Sequence, residues 1–348
     1  MNANATPEAC SRTRTWRFRL LAALLATTAA LLLAEGGARV YAKAVGKERA
    51  LVFDPDLGWH PLPNLSKVSP HWGIMRPART NSHGWRDGEH AFERPPGIRR
   101  AVLVGDSFAF GLYVDDGDRL SEILEGRLDR FEVVNMGVTA WGTDQQLRAL
   151  EMHGFRYSPD IVLLLAFPAN DLEDIRMERN CSWPKPRFDL VDGELELVKP
   201  ALTWDIRLRS VSYCAEFVYE QLRTKGTDER TTESWKSRDT IPLYAAIVRR
   251  MAEECKAHNA HPVAIVAYPP ESIATGPSEA ERRARLALEE AGFTTCDTFG
   301  AFRERTRAGE SLYADDAMHW NARGNAVAAE AVRQLLLERG WAQAEQPH

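Results

Sequence analysis

Ser107 closes the strand-like part of Arg100-Ala-Val-Leu-Val-Gly-Asp-Ser-Phe-Ala-Phe-Gly111, directly after an apolar stretch, Ala101–Val104. A hydroxyl at the carboxyl end of a buried strand sits in the crevice where open α/β sheets bind their ligands. There it can attack a substrate while its own backbone N–H points at the negative charge that develops. Such a serine needs a base, and Asp315-Asp316-Ala-Met-His319-Trp-Asn-Ala-Arg-Gly324 offers one. His319 follows Asp316 by three residues, just before a helical pattern, so the carboxylate can orient the ring. Asp315 is the rival partner, and the spacing favours Asp316. Nucleophilic acyl transfer requires a hydroxyl, a base, an orienting group and donors for an oxyanion. Gly137, in Asn135-Met-Gly137, and Asn170, in Ala169-Asn170-Asp171, each follow a further apolar run. The Gly137 N–H and the Asn170 side-chain amide are the candidate donors. Taken singly, each motif has an ordinary reading as a turn, a helix cap or a surface histidine. Their joint order is what points to catalysis.

The elements that must position these groups alternate. Strand patterns at Ala101–Val104, Phe131–Asn135, Asp160–Ala166, Pro262–Ala267 and Thr294–Asp297 are separated by helical ones. Those helices are expected near Leu120–Leu128, Thr143–His153, Tyr244–Cys255, Ser278–Ala291 and from Asn321 onward, the last with Val327, Ala331 and Leu335 on one face. Strands separated by helices mean a parallel, doubly wound sheet, and a continuous apolar run such as Ile161–Leu165 suits a central strand buried on both faces. Three pieces lie outside this alternation. Residues 1–42 hold a tail and an apolar helix, residues 43–99 form an irregular lead-in whose Trp59, Trp72 and Trp85 need burial, and an insertion spans about 172–240 of the 100–341 domain. Within the insertion, alternating segments around Asp192-Gly193 predict a hairpin. Asp106 reads as structural, Arg86 as part of a structural ion pair, and His153, His258 and His261 as solvated.

Taken together, the chain resembles the SGNH (GDSL-type) hydrolase family, in its membrane-attached bacterial form. The family's four blocks stand in order as Gly105-Asp106-Ser107, Gly137, Asn170 and Asp316-x-x-His319. The lead-in Asn81-Ser-His-Gly-Trp-Arg86 resembles the segment before the first block in those members. The resemblance covers roughly Arg100 to Leu337 without the insertion. It implies a flavodoxin-like three-layer α/β/α sandwich and a serine esterase or acyltransferase. Ser107 would be the nucleophile, His319 the base and later the acid, and Asp316 the group fixing its tautomer. The oxyanion hole would come from the N–H groups of Ser107 and Gly137 with the Asn170 amide. One block departs from the pattern: Pro168 stands where the family has glycine, and proline lacks the N–H and fixes φ.

The rest of the composition narrows the setting. A net charge of −5 over 348 residues, with no basic stripe, excludes a nucleic-acid partner. Few, scattered histidines give no support to a metal, and no cofactor motif is present. Arg12, Arg14, Arg17 and Arg19 precede the apolar run Leu20–Ala34, which reads as a membrane anchor, with a cleaved signal or a buried helix as alternatives. The basic front end places the bulk of the chain outside the cytoplasm, in the periplasm or beyond, although Arg39, Lys43, Lys47 and Arg49 blunt the asymmetry. Cysteines pair by expectation as Cys181–Cys214 and Cys255–Cys296, with four buried thiols as the alternative. The expected substrate is an acylated, above all acetylated, carbohydrate or another small ester. Hydrolysis, O-acetyl transfer to an exopolysaccharide and non-catalytic polysaccharide binding all remain open at this level.

Overall fold

The computed structural model describes residues 7–45, 49–66, 78–222 and 240–345. Trp72 and residues 223–239 of the insertion lie outside them. The chain divides into two compact units, Met1–Glu48 with Thr203–Lys225 and Arg49–Leu202 with Gly226–His348.

The larger unit is built on a five-stranded parallel sheet. Its strands are β1 (Arg99–Gly105), β2 (Phe131–Asn135), β3 (Ile161–Ala166), β4 (His261–Val266) and β5 (Thr294–Cys296), in the order β2-β1-β3-β4-β5. This is the doubly wound flavodoxin-like order, and it leaves a crevice where the winding reverses, between β1 and β3. All six residues of β3 are buried, as the unbroken apolar run requires of a strand covered on both faces. The helices are α1 (Pro7–Ala44), α2 (Ser107–Phe110), α3 (Leu120–Glu125), α4 (Thr143–Met152), α5 (Pro168–Asp174), α6 (Trp204–Val211), α7 (Tyr213–Leu222), α8 (Ile241–Ala257), α9 (Pro270–Thr275), α10 (Glu279–Ala291), α11 (Thr298–Arg307) and α12 (Ala322–Glu338). Helices α4, α8 and α10 pack together on one layer of this three-layer sandwich, and α3, α11 and α12 on the other. The anticipated hairpin forms at Arg187–Val191 and Glu194–Val198, with Asp192 and Gly193 both at positive φ, as a two-residue primed turn demands.

Helix α12 corrects one expectation. Its buried face is Asn325, Ala328, Ala329, Val332 and Leu336, and Val327, Ala331 and Leu335 lie half-buried beside it. The three residues expected on one face do share one, and the more deeply buried face is the neighbouring one. The expected disulfides are also not made: among the described residues no cysteine bonds another. Cys181 and Cys214 fall in different compact units. Cys255 and Cys296 are buried thiols whose pKa burial pushes up to about 12, which keeps them protonated and unreactive.

The lead-in is tied to the larger unit. Trp59 and Trp85 are buried as expected. Trp59 Nε1 donates to the Thr139 carbonyl and Trp141 Nε1 to that of Trp59, each at 3.0 Å, so the lead-in holds the loop after β2. In the smaller unit, Thr15–Ala44 of α1 is long and apolar enough to cross a membrane and is not buried inside the protein. The alternative of a helix enclosed in a core is therefore not what forms.

Candidate active site

Strand β1 ends at Gly105, and the chain turns at once into the single-turn helix α2. Asp106 caps it: its Oδ1 accepts from the Phe108 N–H at 2.9 Å. Ser107 thereby becomes the first residue of the helix, its N–H among those that a helix start leaves without an internal partner. The far end of α2 is pinned by Arg86, which is 1% exposed. It donates to the carbonyls of Phe110 (3.1 Å), Gly111 (2.6 Å) and Val114 (2.9 Å) and pairs with Asp116 at 2.9 Å. Arg86 is thus the structural ion-pair residue expected, and it also braces the helix that begins at Ser107.

The histidine arrives on a tight loop before α12. Asn321 caps α12 by accepting from the Gly324 N–H at 3.0 Å, while its amide donates back to the carbonyls of Ser311 (3.0 Å) and Tyr313 (3.1 Å). Gly324 has to be glycine, since a Cβ there would lie 2.3 Å from the Leu312 carbonyl oxygen. Trp320 is buried against Phe108 and Phe302, ring centroids 5.2 and 5.1 Å away. His319 is then held between the rings of Phe108 (4.9 Å) and Tyr113 (5.2 Å).

These supports bring Ser107 Oγ to 2.7 Å from His319 Nε2, and His319 Nδ1 to 2.5 Å from Asp316 Oδ2. Asp316, not the exposed Asp315, makes that contact. The other Asp316 oxygen accepts from the N–H groups of Met318 (3.0 Å) and His319 (3.1 Å). Burial alone would raise the Asp316 carboxyl; the bonds from the His319 ring and the two N–H groups outweigh it and hold the pKa below the ordinary value. The carboxylate is therefore charged, as an orienting partner must be. Ser107 itself is 6% exposed, so its hydroxyl is largely screened from bulk water.

Asn170 joins the same rim. Pro168 occupies the first position of α5, where a missing N–H is no loss, so the departure at this block leaves the loop intact. One Asn170 amide N–H donates to Asp106 Oδ2 at 2.9 Å, which fixes the side chain and leaves its second N–H. Burial raises the Asp106 carboxyl while the bonds from Asn170 and Phe108 pull it back down. Asp106 thus stabilises both the α2 cap and the amide, the structural role expected of it.

Gly137 differs from expectation. Its N–H donates to Asn135 Oδ1 at 2.9 Å, and so is already engaged. Glycine is needed there for close packing, because a Cβ would lie 2.6 Å from both the Ala109 Cβ and the Phe110 nitrogen. The left-handed residue of this loop is instead Ala140, at φ 64°, a conformation that favours glycine.

His153 is half-buried and meets Trp85 edge-on at 6.0 Å, so it is not the solvated residue expected. His258 and His261 are exposed, stacked on Phe155 and Trp341. Sequence reasoning missed Phe108 and Tyr113 as the walls of the imidazole. It also missed Lys185, a fully buried insertion residue that pairs with buried Asp144 near Asp174. Phe108 adjoins the serine and was discoverable; nothing in the sequence ties Tyr113 or Lys185 to the site.

Two open hollows adjoin the rim. One, of about 410 Å³, begins at Tyr113 and is lined by Asp115, Asp118, Ser311, Asn321 and Arg323. The other, of about 620 Å³, begins at Pro168 and Ala169 and extends to Glu271 and Glu281.

Several solved structures are similar to this chain. A lipase/acylhydrolase from Enterococcus faecalis shares 15% identity with a TM-score of 0.43, covering 72% of this chain and 100% of that one. A G-D-S-L family protein from Veillonella parvula DSM 2008 shares 12% with a TM-score of 0.40, over 69% and 99% of the two chains. An acetyl xylan esterase shares 11% with a TM-score of 0.40, over 68% and 99%. No curated protein sequence matches. The model of the GDSL-like lipase/acylhydrolase family matches residues 103–327, most of the chain and all of the rim just described, and the chain belongs to that family of serine hydrolases.

Proposed function

We propose that Ser107, His319 and Asp316 act as a catalytic triad that cleaves O-acyl esters, chiefly O-acetyl esters, on an extracytoplasmic carbohydrate. The observation that carries this reading is the unbroken chain of contacts from Ser107 Oγ through the imidazole to Asp316. Ser107 Oγ attacks the ester carbonyl while His319 Nε2 takes its proton. His319 returns that proton to the leaving sugar oxygen, and an acyl-enzyme forms at Ser107. Water, or a sugar hydroxyl in a transfer reaction, then attacks the acyl carbon while His319 takes its proton; the bond from the acyl carbon to Ser107 Oγ breaks and His319 returns the proton to that oxygen. The oxyanion is stabilised by the Ser107 N–H and the second Asn170 amide N–H, donors held in place before the charge appears. With its own N–H committed to Asn135, Gly137 contributes through close packing against α2.

Polar side chains around the hollow beside Tyr113 suit a hydroxyl-rich substrate. The small remaining exposure of Ser107 suits a short acyl group. The length and apolar surface of α1 support an anchor, and Arg17 and Arg19 just before its apolar run support a catalytic unit outside the cytoplasm.

The test is acetate release by the full-length protein, in detergent, from a panel of O-acetylated glycans, with long-chain esters alongside. We expect acetate from at least one glycan, lost in Ser107→Ala. Cleavage of long-chain esters with no acetate from any glycan would overturn the substrate assignment. Adding a free sugar acceptor separates transfer from hydrolysis, through the share of acetyl groups recovered on sugar.

A further inference from the structure

The second half of the insertion takes no part in the chemistry above, yet it is firmly joined to α1 within the smaller unit. Glu35 follows the apolar run Leu20–Ala34 directly. Its carboxylate accepts from Ser212 Oγ at 2.8 Å and from the N–H groups of Tyr213 and Cys214, both at 3.1 Å. A side-chain anion at the start of α7 satisfies N–H groups that the helix itself cannot. Arg39 pairs with Glu35 at 2.7 Å, donates to the Val211 carbonyl at 3.3 Å and lies over the Tyr213 ring. Tyr41 meets Phe217 edge-on. The α6–α7 hairpin is therefore fastened at the point where the apolar run of α1 ends.

The two faces of the hairpin differ sharply. Inward, the Arg209 guanidinium is bound by both Glu216 oxygens, at 2.9 and 3.2 Å, and lies over the Tyr219 ring; Arg209 and Glu216 are buried. Outward, Trp204, Leu208 and Val211 recur at helical spacing on α6 and are 77%, 47% and 67% exposed. On α7, Phe217, Val218 and Leu222 are 51%, 46% and 77% exposed. So contiguous an apolar patch is costly in water and marks an interaction surface. Arg207 is exposed on the same side of α6, so the outward face is apolar with one cation, the composition that suits the lipid–water interface.

We infer that α6 and α7 form a membrane-interfacial element, with Trp204, Leu208 and Val211 sunk into the same bilayer that α1 crosses. The inference rests on the anchor reading of α1 and adds a second point of lipid contact. Register argues for the bilayer as occupant. Trp204, Leu208 and Val211 line one hollow of about 700 Å³ together with Thr28, Leu31 and Leu32, residues that a spanning α1 holds in hydrocarbon, and the charged side chains that share the hollow include the paired Glu35, Arg39 and Arg209. Position argues the same way. The apolar run Leu20–Ala34 of α1 ends at Glu35, which is where the hairpin is fastened. The hairpin adds apolar surface at that end, and its donors satisfy a Glu35 carboxylate that would otherwise meet lipid unpaired. The same clasp needs Glu35 in helical register with the residues before it, which favours an uncleaved α1.

The test uses the full-length chain with Cys10, Cys181 and Cys214 replaced by serine, reconstituted into phosphatidylethanolamine–phosphatidylglycerol vesicles. A single bimane label is placed at Leu208→Cys, at Leu25→Cys in α1 or at Leu286→Cys on α10 of the larger unit. Quenching by lipids brominated on their acyl chains is then measured. We expect the label at 208 to be quenched at least half as strongly as that at 25, and the label at 286 to be unquenched. Trp204→Cys should repeat the pattern of 208. Quenching at 25 with none at 208 and 204 would overturn the interfacial hairpin while leaving the anchor standing. Blue-shifted emission at 208 without quenching would also overturn it, in favour of contact with protein. Absence of quenching at 25 would overturn the anchor itself and the inference with it.

Discussion

Ser107 Oγ and His319 Nε2 are 2.7 Å apart although 212 residues separate them in the chain. The sheet order makes this meeting possible: Ser107 ends the strand at the switch point, and the loop before the last helix returns across the same rim. With Asp316 proposed to orient the imidazole, Asp316→Ala should lower kcat by about 10²–10⁴-fold. Asp315→Ala, which alters an exposed side chain away from Nδ1, should stay within about threefold of wild type. Comparing the two by ester hydrolysis decides the assignment, and equal losses would contradict it.

Asn170→Ala removes an amide held by Asp106 at 2.9 Å. Losing one oxyanion donor is worth roughly 2.7–4 kcal/mol, so kcat should fall about 10²–10³-fold with KM little changed. Thermal unfolding, recorded alongside, separates this loss from any weakening of the Asp106 network. Full activity in a folded variant would remove Asn170 from the oxyanion hole.

Gly137→Ala places a methyl group 2.6 Å from the Ala109 Cβ and the Phe110 backbone nitrogen. Backbone cannot yield as a flexible side chain does, so α2 must shift. We expect a loss of stability of about 1–3 kcal/mol and a drop in kcat from displacement of Ser107. Denaturant unfolding and turnover measured on the same sample check both. Neither effect would appear if the loop could simply move aside.

Asp174 gives a prediction about pH. Burial pushes its carboxyl up to about 8 from the ordinary 3.8, against the pull of Lys185 and with the help of Asp106 and Asp144. Between those values the folded chain holds a proton that the unfolded chain releases. This contribution to stability is complete below about 4 and is lost as pH rises through about 8. Asp174→Asn abolishes the titration, so its Tm relative to wild type should rise from pH 5 to pH 9. A difference between the two that does not vary with pH would contradict the buried-acid account.

Much of this was legible in the sequence because strands and the loops at their ends carry local signals. Ile161–Ala166 had to be a two-face-buried strand, and Asp316 and His319 are close enough in the chain for their contact to be read from spacing. Long-range fits were not legible. The Gly137 N–H is taken by a side chain two residues back, and the demand for glycine comes from α2 packing against it. Tyr113 reaches His319 only through the fold. Helix α12 buries alanines where larger apolar residues suggested another face. The Cys255 and Cys296 thiols sit in the core as ordinary apolar groups, which no spacing rule distinguishes from a disulfide.

In the proposed mechanism the Ser107 hydroxyl forms a covalent acyl-enzyme with His319 as its base. Mass spectrometry of the full-length protein after reaction with a serine-directed fluorophosphonate reads that chemistry at the residue itself. We expect a single adduct on the peptide containing Ser107, absent in Ser107→Ala and strongly slowed in His319→Ala. An adduct on another residue, or undiminished labelling of Ser107→Ala, would contradict it.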